Sequence, residues 1–284
     1  MENTTNSQKA QILVEALPHI QKYNGQKVVI KFGGSAMKDE DIKKTVMQDI
    51  VLLHQVGVKV VLVHGGGPEI NDMLDKLGIK SEFIDGFRKT DKATMDVVQM
   101  ILAGKVGKDL VGLVQSFGGK AIGLCGIDGG MIKVKQKDPN LEYVGDILSV
   151  DTTLINQELD NDIIPIISTI GVDVDGNAYN INADTAAARI AGELKAMALF
   201  SMTDTPGLLK NKDDETSVIS AVSASEIPEL IKEGIVSGGM VPKVLGSQEA
   251  IRRGAKHVFI IDGRKPHAII IEMLTNEGMG TMFY

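Results

Sequence analysis

The stretch VKVVLVHGGGPEI, residues 58–70, is an apolar run that ends in three consecutive glycines and a proline, followed by an amphipathic segment. A short apolar run bounded by turn residues reads as a buried strand, here Val58 to His64. The same pattern occurs once upstream: VVIKF, Val28 to Phe32, is a second such strand. Between the two, Ile42, Val46, Ile50 and Leu53 recur at helical spacing. Strand, helix, strand over this distance is a βαβ unit, whose strands run parallel.

The alternation continues to the end of the chain. Helices are expected from Pro68 to about Leu77 and from Lys92 to about Gln115. The strand Ala121 to Cys125 follows, then short β-rich pieces at 132–135 and 143–147 and the strand Ile163 to Ser168. A small-residue helix from Ile181 to Leu194 leads to the strand in AMALFSMTD. Helices near 225–232 and over Val241 to Arg253, the strand HVFII and a last helix, Ala268 to Leu274, complete the pattern. Upstream of the first strand, Ile12, Leu13, Ala16, Leu17 and Ile20 mark a helix from Lys9 to Tyr23, kinked at Pro18. Strands alternating with helices predict an α/β fold, an open and mostly parallel central sheet covered by helices on both faces. No linker and no internal repeat divides it.

Composition excludes several classes. Thirty Lys and Arg against 37 Asp and Glu, a net charge of −7, with no basic block, argue against a nucleic-acid partner. The single cysteine, Cys125, excludes an intramolecular disulfide, fits a reducing compartment and reads as a small core residue. MENTTNSQKA lacks the pattern of a secretory signal, and no apolar run reaches the ~18 residues of a membrane span, so the expectation is cytoplasmic.

Chemistry is expected beyond the carboxyl ends of the strands. Glycine there contributes no packing, so Gly65 to Gly67 serve either a turn with positive φ or a close backbone approach to a ligand. They are contiguous, so the spacing of G-x-G-x-x-G fails, and no G-x-x-x-x-G-K-[ST] occurs. What survives is a general anion site at a helix N-terminus. Lys31 interrupts an apolar strand just before Gly33 and Gly34; it is either an edge-strand lysine or, as its βαβ setting favours, a phosphate contact. Lys243, in the first turn of a helix, opposes the macrodipole and calls for an anionic partner. Asp184 and Asp204 stand at junctions where each is a helix cap or a functional carboxylate. Asn180 and Asn182 read equally as turn formers, and Arg88 as a solvated turn residue or a bidentate carboxylate clamp.

Taken together and in order, KFGGSAM, HGGGPEI, DGFRKTD, NINADTAA, TDTPGLL and SGGMVPK resemble the amino acid kinase family, and within it the branch that phosphorylates N-acetyl-L-glutamate in arginine biosynthesis. The resemblance runs from about Gly25 to the C-terminus. It implies ATP with Mg2+ bound through the nucleotide phosphates, Lys31 and Lys243 flanking the transferred phosphoryl group, and Asp184 holding both lysines. It further implies that Gly66, Gly67, Arg88 and Asn180 grip the acetylglutamate, that Gly33 and Gly34 form the phosphate-facing turn, and that the nucleotide lies along Asp204, Thr205, Pro206, Gly207, Leu208 and Leu209, with Ser237. In this division residues 25–180 serve mainly the acceptor and 181–284 mainly ATP, within one domain. Residues 1–24 resemble the helical extension of arginine-inhibited hexamers, trimers of dimers, and His267, Glu277 and Gly280 match positions lining the arginine site. A PII-type signalling protein is a further partner in that branch. One departure is KAMAL where many members read KAEKL, which puts Ala198 where a lysine is common. Aspartokinases, uridylate kinases and carbamate kinases are nearest rivals, but the last two lack the FR-x-TD segment. A sensor that binds arginine or nucleotide without catalysis is an alternative of another class, and it would have no need of both lysines and the aspartate.

Overall fold

A computed structural model describes residues 5–284; the first four residues of the expected extension lie outside it. In chain order the elements are α1 (Asn6–Glu15), α2 (Leu17–Tyr23), β1 (Lys27–Phe32), α3 (Glu40–Gln55), β2 (Lys59–His64), α4 (Gly67–Lys76), β3 (Phe83–Ile84), β4 (Phe87–Arg88), α5 (Lys92–Gln99), α6 (Gly107–Ser116) and β5 (Ala121–Cys125). There follow β6 (Ile132–Gln136), β7 (Gly145–Val150), α7 (Thr153–Asp160), β8 (Ile164–Ser168), β9 (Ile170–Val172), β10 (Ala178–Asn180), α8 (Ala183–Glu193) and β11 (Ala198–Thr203). The chain closes with β12 (Ala221–Val222), α9 (Ile227–Lys232), α10 (Met240–Arg253), β13 (Val258–Asp262), α11 (Ala268–Leu274) and β14 (Gly280–Phe283).

Eight strands form the central sheet in the order β12-β14-β13-β11-β1-β2-β8-β5. Every pairing in it is parallel except β13 with β14. β1 is therefore an interior strand, which removes the edge-strand reading of Lys31. The strand period of two then fixes what each residue does. Val28, Ile30 and Phe32 face a core shared with α3, α6 and α11, whereas Val29 joins the opposite core beneath α8 and α10. Lys31 has the parity of Val29 and so faces α8.

Several elements depart from expectation. The upstream helix is two helices, because Pro18 starts α2 within its first turn instead of kinking a continuous one. The helix expected from Lys92 to Gln115 is interrupted by a π-helical turn, Met100–Val106. A four-stranded satellite sheet, β10-β9-β6-β7, and the β3–β4 hairpin are separate from the central sheet, and through Asn180 of β10 and Arg88 of β4 they meet the glycines that follow β1 and β2; β9 and β10 are three residues each, too short to show alternation. α7 and β14 also escaped the sequence pattern, the first for want of a long apolar stripe. Cys125 is half-buried, not a core residue, since it ends edge strand β5 where one side is uncovered. Among the described residues no helix is long and apolar enough to cross a membrane.

Candidate active site

Asp184 is the centre of the site. Asn182 caps α8, its side chain accepting from the Thr185 N–H, so Asp184 is not the cap but lies inside the first turn, aimed back at the sheet. Its Oδ1 lies 2.9 Å from Lys31 Nζ and its Oδ2 2.8 Å from Lys243 Nζ. The Ser201 hydroxyl, on β11 directly opposite Lys31, donates to Oδ1 at 3.3 Å. Burial alone would raise the Asp184 pKa, but the two ammonium groups overcome it and hold the carboxyl well below the usual range. Lys243 stands in the first turn of α10, and Asp184 is the anion that its position demanded.

The glycine turns surround this triad. Gly65 N–H is spent on Phe32 O at 3.1 Å, prolonging the β1–β2 ladder by one residue. Gly66 and Gly67 then open α4, where the first amides of a helix have no intrahelical acceptor. Gly66 has φ of 171°, an extended value, so positive φ is not the reason for glycine. The reason is space: a Cβ there would stand 2.6 Å from Leu102 Cδ2 on the π-helical turn. Gly34, by contrast, does adopt positive φ, 70°.

Arg88 ends β4 buried, with one guanidinium nitrogen donating to Ser81 Oγ and Nη2 donating to Gly67 O at 3.3 Å; burial lowers its pKa. Its guanidinium also stacks 4.8 Å from the Phe83 ring centroid. Asn180, at the end of β10, donates from Nδ2 to Thr90 Oγ1 at 3.3 Å.

These residues line one cavity of about 320 Å³, which brings together Lys31, Gly33, Gly34, Gly66, Gly67, Arg88, Asn180, Asp184 and Lys243. A second cavity, about 350 Å³, is lined by Asp204, Thr205, Gly207, Leu208, Leu209 and Ser237, together with Lys212 and, again, Lys243. Lys243 is thus the seam between the two. In the second cavity the hydroxyls of Thr205 and Ser237 are buried without a partner, which marks a place shaped for polar ligand atoms. Pro206 stays outside its lining. Asp204 is not a helix cap: a long segment that includes β12 separates it from α9, and its side chain is exposed.

The matches to known proteins agree with this geometry. The sequence matches the amino acid kinase family over residues 26–262. The chain belongs to the amino acid kinase family. It is 56% identical to acetylglutamate kinase of Brachyspira hyodysenteriae, covering 100% of this chain and 99% of that one. It is 48% identical to acetylglutamate kinase of Heliobacterium modesticaldum, with 97% of each chain covered. Among solved structures it resembles N-acetylglutamate synthase from Neisseria gonorrhoeae with a TM-score of 0.84 at 23% identity, over 96% of this chain and 63% of that one, a likeness of fold.

None of the three expected effector positions, His267, Glu277 and Gly280, lines the two cavities. His267 precedes α11 and places Nδ1 2.6 Å from Asp49 Oδ1 on α3. Glu277 is exposed, and Gly280 opens β14, whose Thr281 hydroxyl accepts from the Leu208 N–H. Ala198 is fully buried at the start of β11, opposite Val28. Leu102, Phe83, Val144 and Thr169 also line the first cavity; as apolar or small residues on a helical turn, a hairpin and the segments flanking strands they carry no sequence signal distinct from core.

Proposed function

We propose that the protein transfers the γ-phosphoryl group of ATP to the γ-carboxylate of N-acetyl-L-glutamate, giving the acyl phosphate, an early step of arginine biosynthesis. The observation that carries the chemistry is the Lys31–Asp184–Lys243 triad at the meeting point of the two cavities. The acceptor carboxylate, with an unperturbed pKa near ~4.3, is already ionised, so no general base is needed. Its oxygen forms the new bond to phosphorus while the bond to the bridging oxygen of ADP breaks and that oxygen takes the electron pair. The obstacle is repulsion between anions, and two ammonium groups held on one carboxylate leave one positive charge in excess where it is needed.

In this reading Gly66, Gly67, Arg88 and Asn180 hold the acetylglutamate, and Gly33 and Gly34 meet the phosphoryl group. The second cavity takes the nucleotide, with the unpartnered hydroxyls of Thr205 and Ser237 as two of its contacts. Among the described residues no group of three His, Cys, Asp or Glu is placed to cage a metal, and Mg2+ is assigned to the nucleotide phosphates. Residues 25–180 serve mainly the acceptor and 181–284 mainly ATP. The finer reading is a cytoplasmic, arginine-inhibited hexamer, a candidate also for a PII-type partner. Its oligomeric part is supported by α1, which buries no residue in this chain and leaves Ile12, Leu13 and Val14 exposed, as is Leu17 at the start of α2. Ala198 weighs against strong arginine inhibition, which a titration of activity with L-arginine measures directly.

Incubation with ATP, Mg2+, N-acetylglutamate and hydroxylamine tests the reaction. A hydroxamate that depends on both substrates is expected; its absence overturns the assignment, and a protein that binds arginine or nucleotide without forming hydroxamate would be the sensor instead.

A further inference from the structure

We infer that Thr90 is a positioning residue for the acceptor: its hydroxyl fixes which way the Asn180 amide points into the first cavity. This rests on the acceptor site proposed above. Thr90 is completely buried, and its hydroxyl donates to Arg88 O at 2.8 Å. A hydroxyl has one proton. With that proton committed to a carbonyl, Thr90 Oγ1 can only accept, and the group that approaches it at 3.3 Å is the Asn180 side-chain amide. The nitrogen of that amide must therefore face Thr90, and its carbonyl oxygen is turned the other way. An Asn free to rotate by a half-turn offers a ligand either a donor or an acceptor; this one offers a fixed pattern.

The backbone around Thr90 makes the arrangement rigid. Thr90 N–H donates to Leu141 O at 3.2 Å, Tyr143 N–H donates to Thr90 O at 2.8 Å, and Asn180 N–H donates to Tyr143 O at 2.9 Å. Three chain segments, carrying Arg88, Tyr143 and Asn180, are thus tied around one residue, and its hydroxyl joins the Asn180 side chain to the Arg88 backbone carbonyl. A Thr in this environment also has a packing role, so the test must separate the two.

Thr90→Val keeps the shape and removes the acceptor. A hydrogen bond of ordinary net strength corresponds to about tenfold in affinity, so Thr90→Val is expected to raise the KM for N-acetylglutamate about tenfold and leave the KM for ATP within about twofold. Thr90→Ser should recover most of the loss. The decisive comparison is with Asn180→Ala: if Thr90 acts through Asn180, the double variant has the acceptor KM of Asn180→Ala alone. Thermal melts accompany each variant, and Thr90→Ala replaces Thr90→Val if the latter does not fold. Additive effects in the double variant, equal shifts in both KM values, or a lowered Tm with unchanged KM would each overturn the inference. A wild-type enzyme that forms no acyl phosphate overturns the acceptor assignment itself, and this role with it.

Discussion

Burial and charge act on Asp184 in opposite senses, and charge wins. A carboxylate so placed between two lysines stays ionised throughout the pH range in which enzymes work, so the lysines are never released by its protonation. The consequence is kinetic. Lys243→Ala should lower kcat by on the order of 10²–10³ while changing either KM far less, because the lost charge acts mainly on the transition state. Steady-state kinetics with each substrate varied in turn checks this; a raised KM with kcat intact would make Lys243 a binding residue only. Gly66 tests the other side of the site. Gly66→Ala places a methyl against Leu102, and overpacking of this kind costs ~1–3 kcal/mol. Thermal melts should show the loss, and the destabilisation of Gly66→Ala/Leu102→Ala should be smaller than the sum of the two single variants. Lys31 and Lys243 could be picked out in the sequence because a charge in an apolar strand, or at the wrong end of a helix, needs an explanation. Thr90 and Leu102 could not, because a buried threonine just beyond a short strand and a leucine in a helical turn are what packing alone would place there.

At the level of elements, the βαβ alternation was readable because strands and helices were long and strongly patterned. Of the satellite strands, β6 and β7 were readable as short β-rich pieces, but β9 and β10 were not, since they derive their structure from neighbours rather than from their own periodicity. The π-helical turn was equally invisible, although it is what presses Leu102 onto Gly66. The junction of α3 with α11 yields a prediction of its own. Burial raises the Asp49 pKa to about 6, with the His267 hydrogen bond opposing it only in part, and Asp49 Oδ2 has no partner. An acid whose folded pKa is raised binds its proton more tightly when folded. Its stabilising contribution is complete below the unfolded value near 3.8 and is lost as pH rises through about 6. The stability of the wild type relative to Asp49→Asn should therefore decline between pH 4 and 6, by up to ~1.4 kcal/mol per pH unit. Urea denaturation across that range measures it; parallel profiles would show that Asp49 does not titrate there.

For the molecule as a whole, the eight-stranded order brings β1 and β11 side by side at the middle of the sheet, so residues far apart in sequence share one carboxylate. Within the extension, α1 buries no residue, and Ile12, Leu13 and Val14 are exposed. Removal of residues 1–24 is expected to convert the proposed hexamer into dimers, measured as mass in solution by light scattering. A hexamer that survives the deletion would give α1 and α2 some other task.

Lys243 belongs to the walls of both cavities, and that shared wall has a pharmacological consequence. A single compound joining an acylated amino dicarboxylate to a nucleotide needs only a short bridge across one ammonium group. Once either half is seated, the other is presented at a local concentration of millimolar order, so the linked molecule should bind far more tightly than its halves.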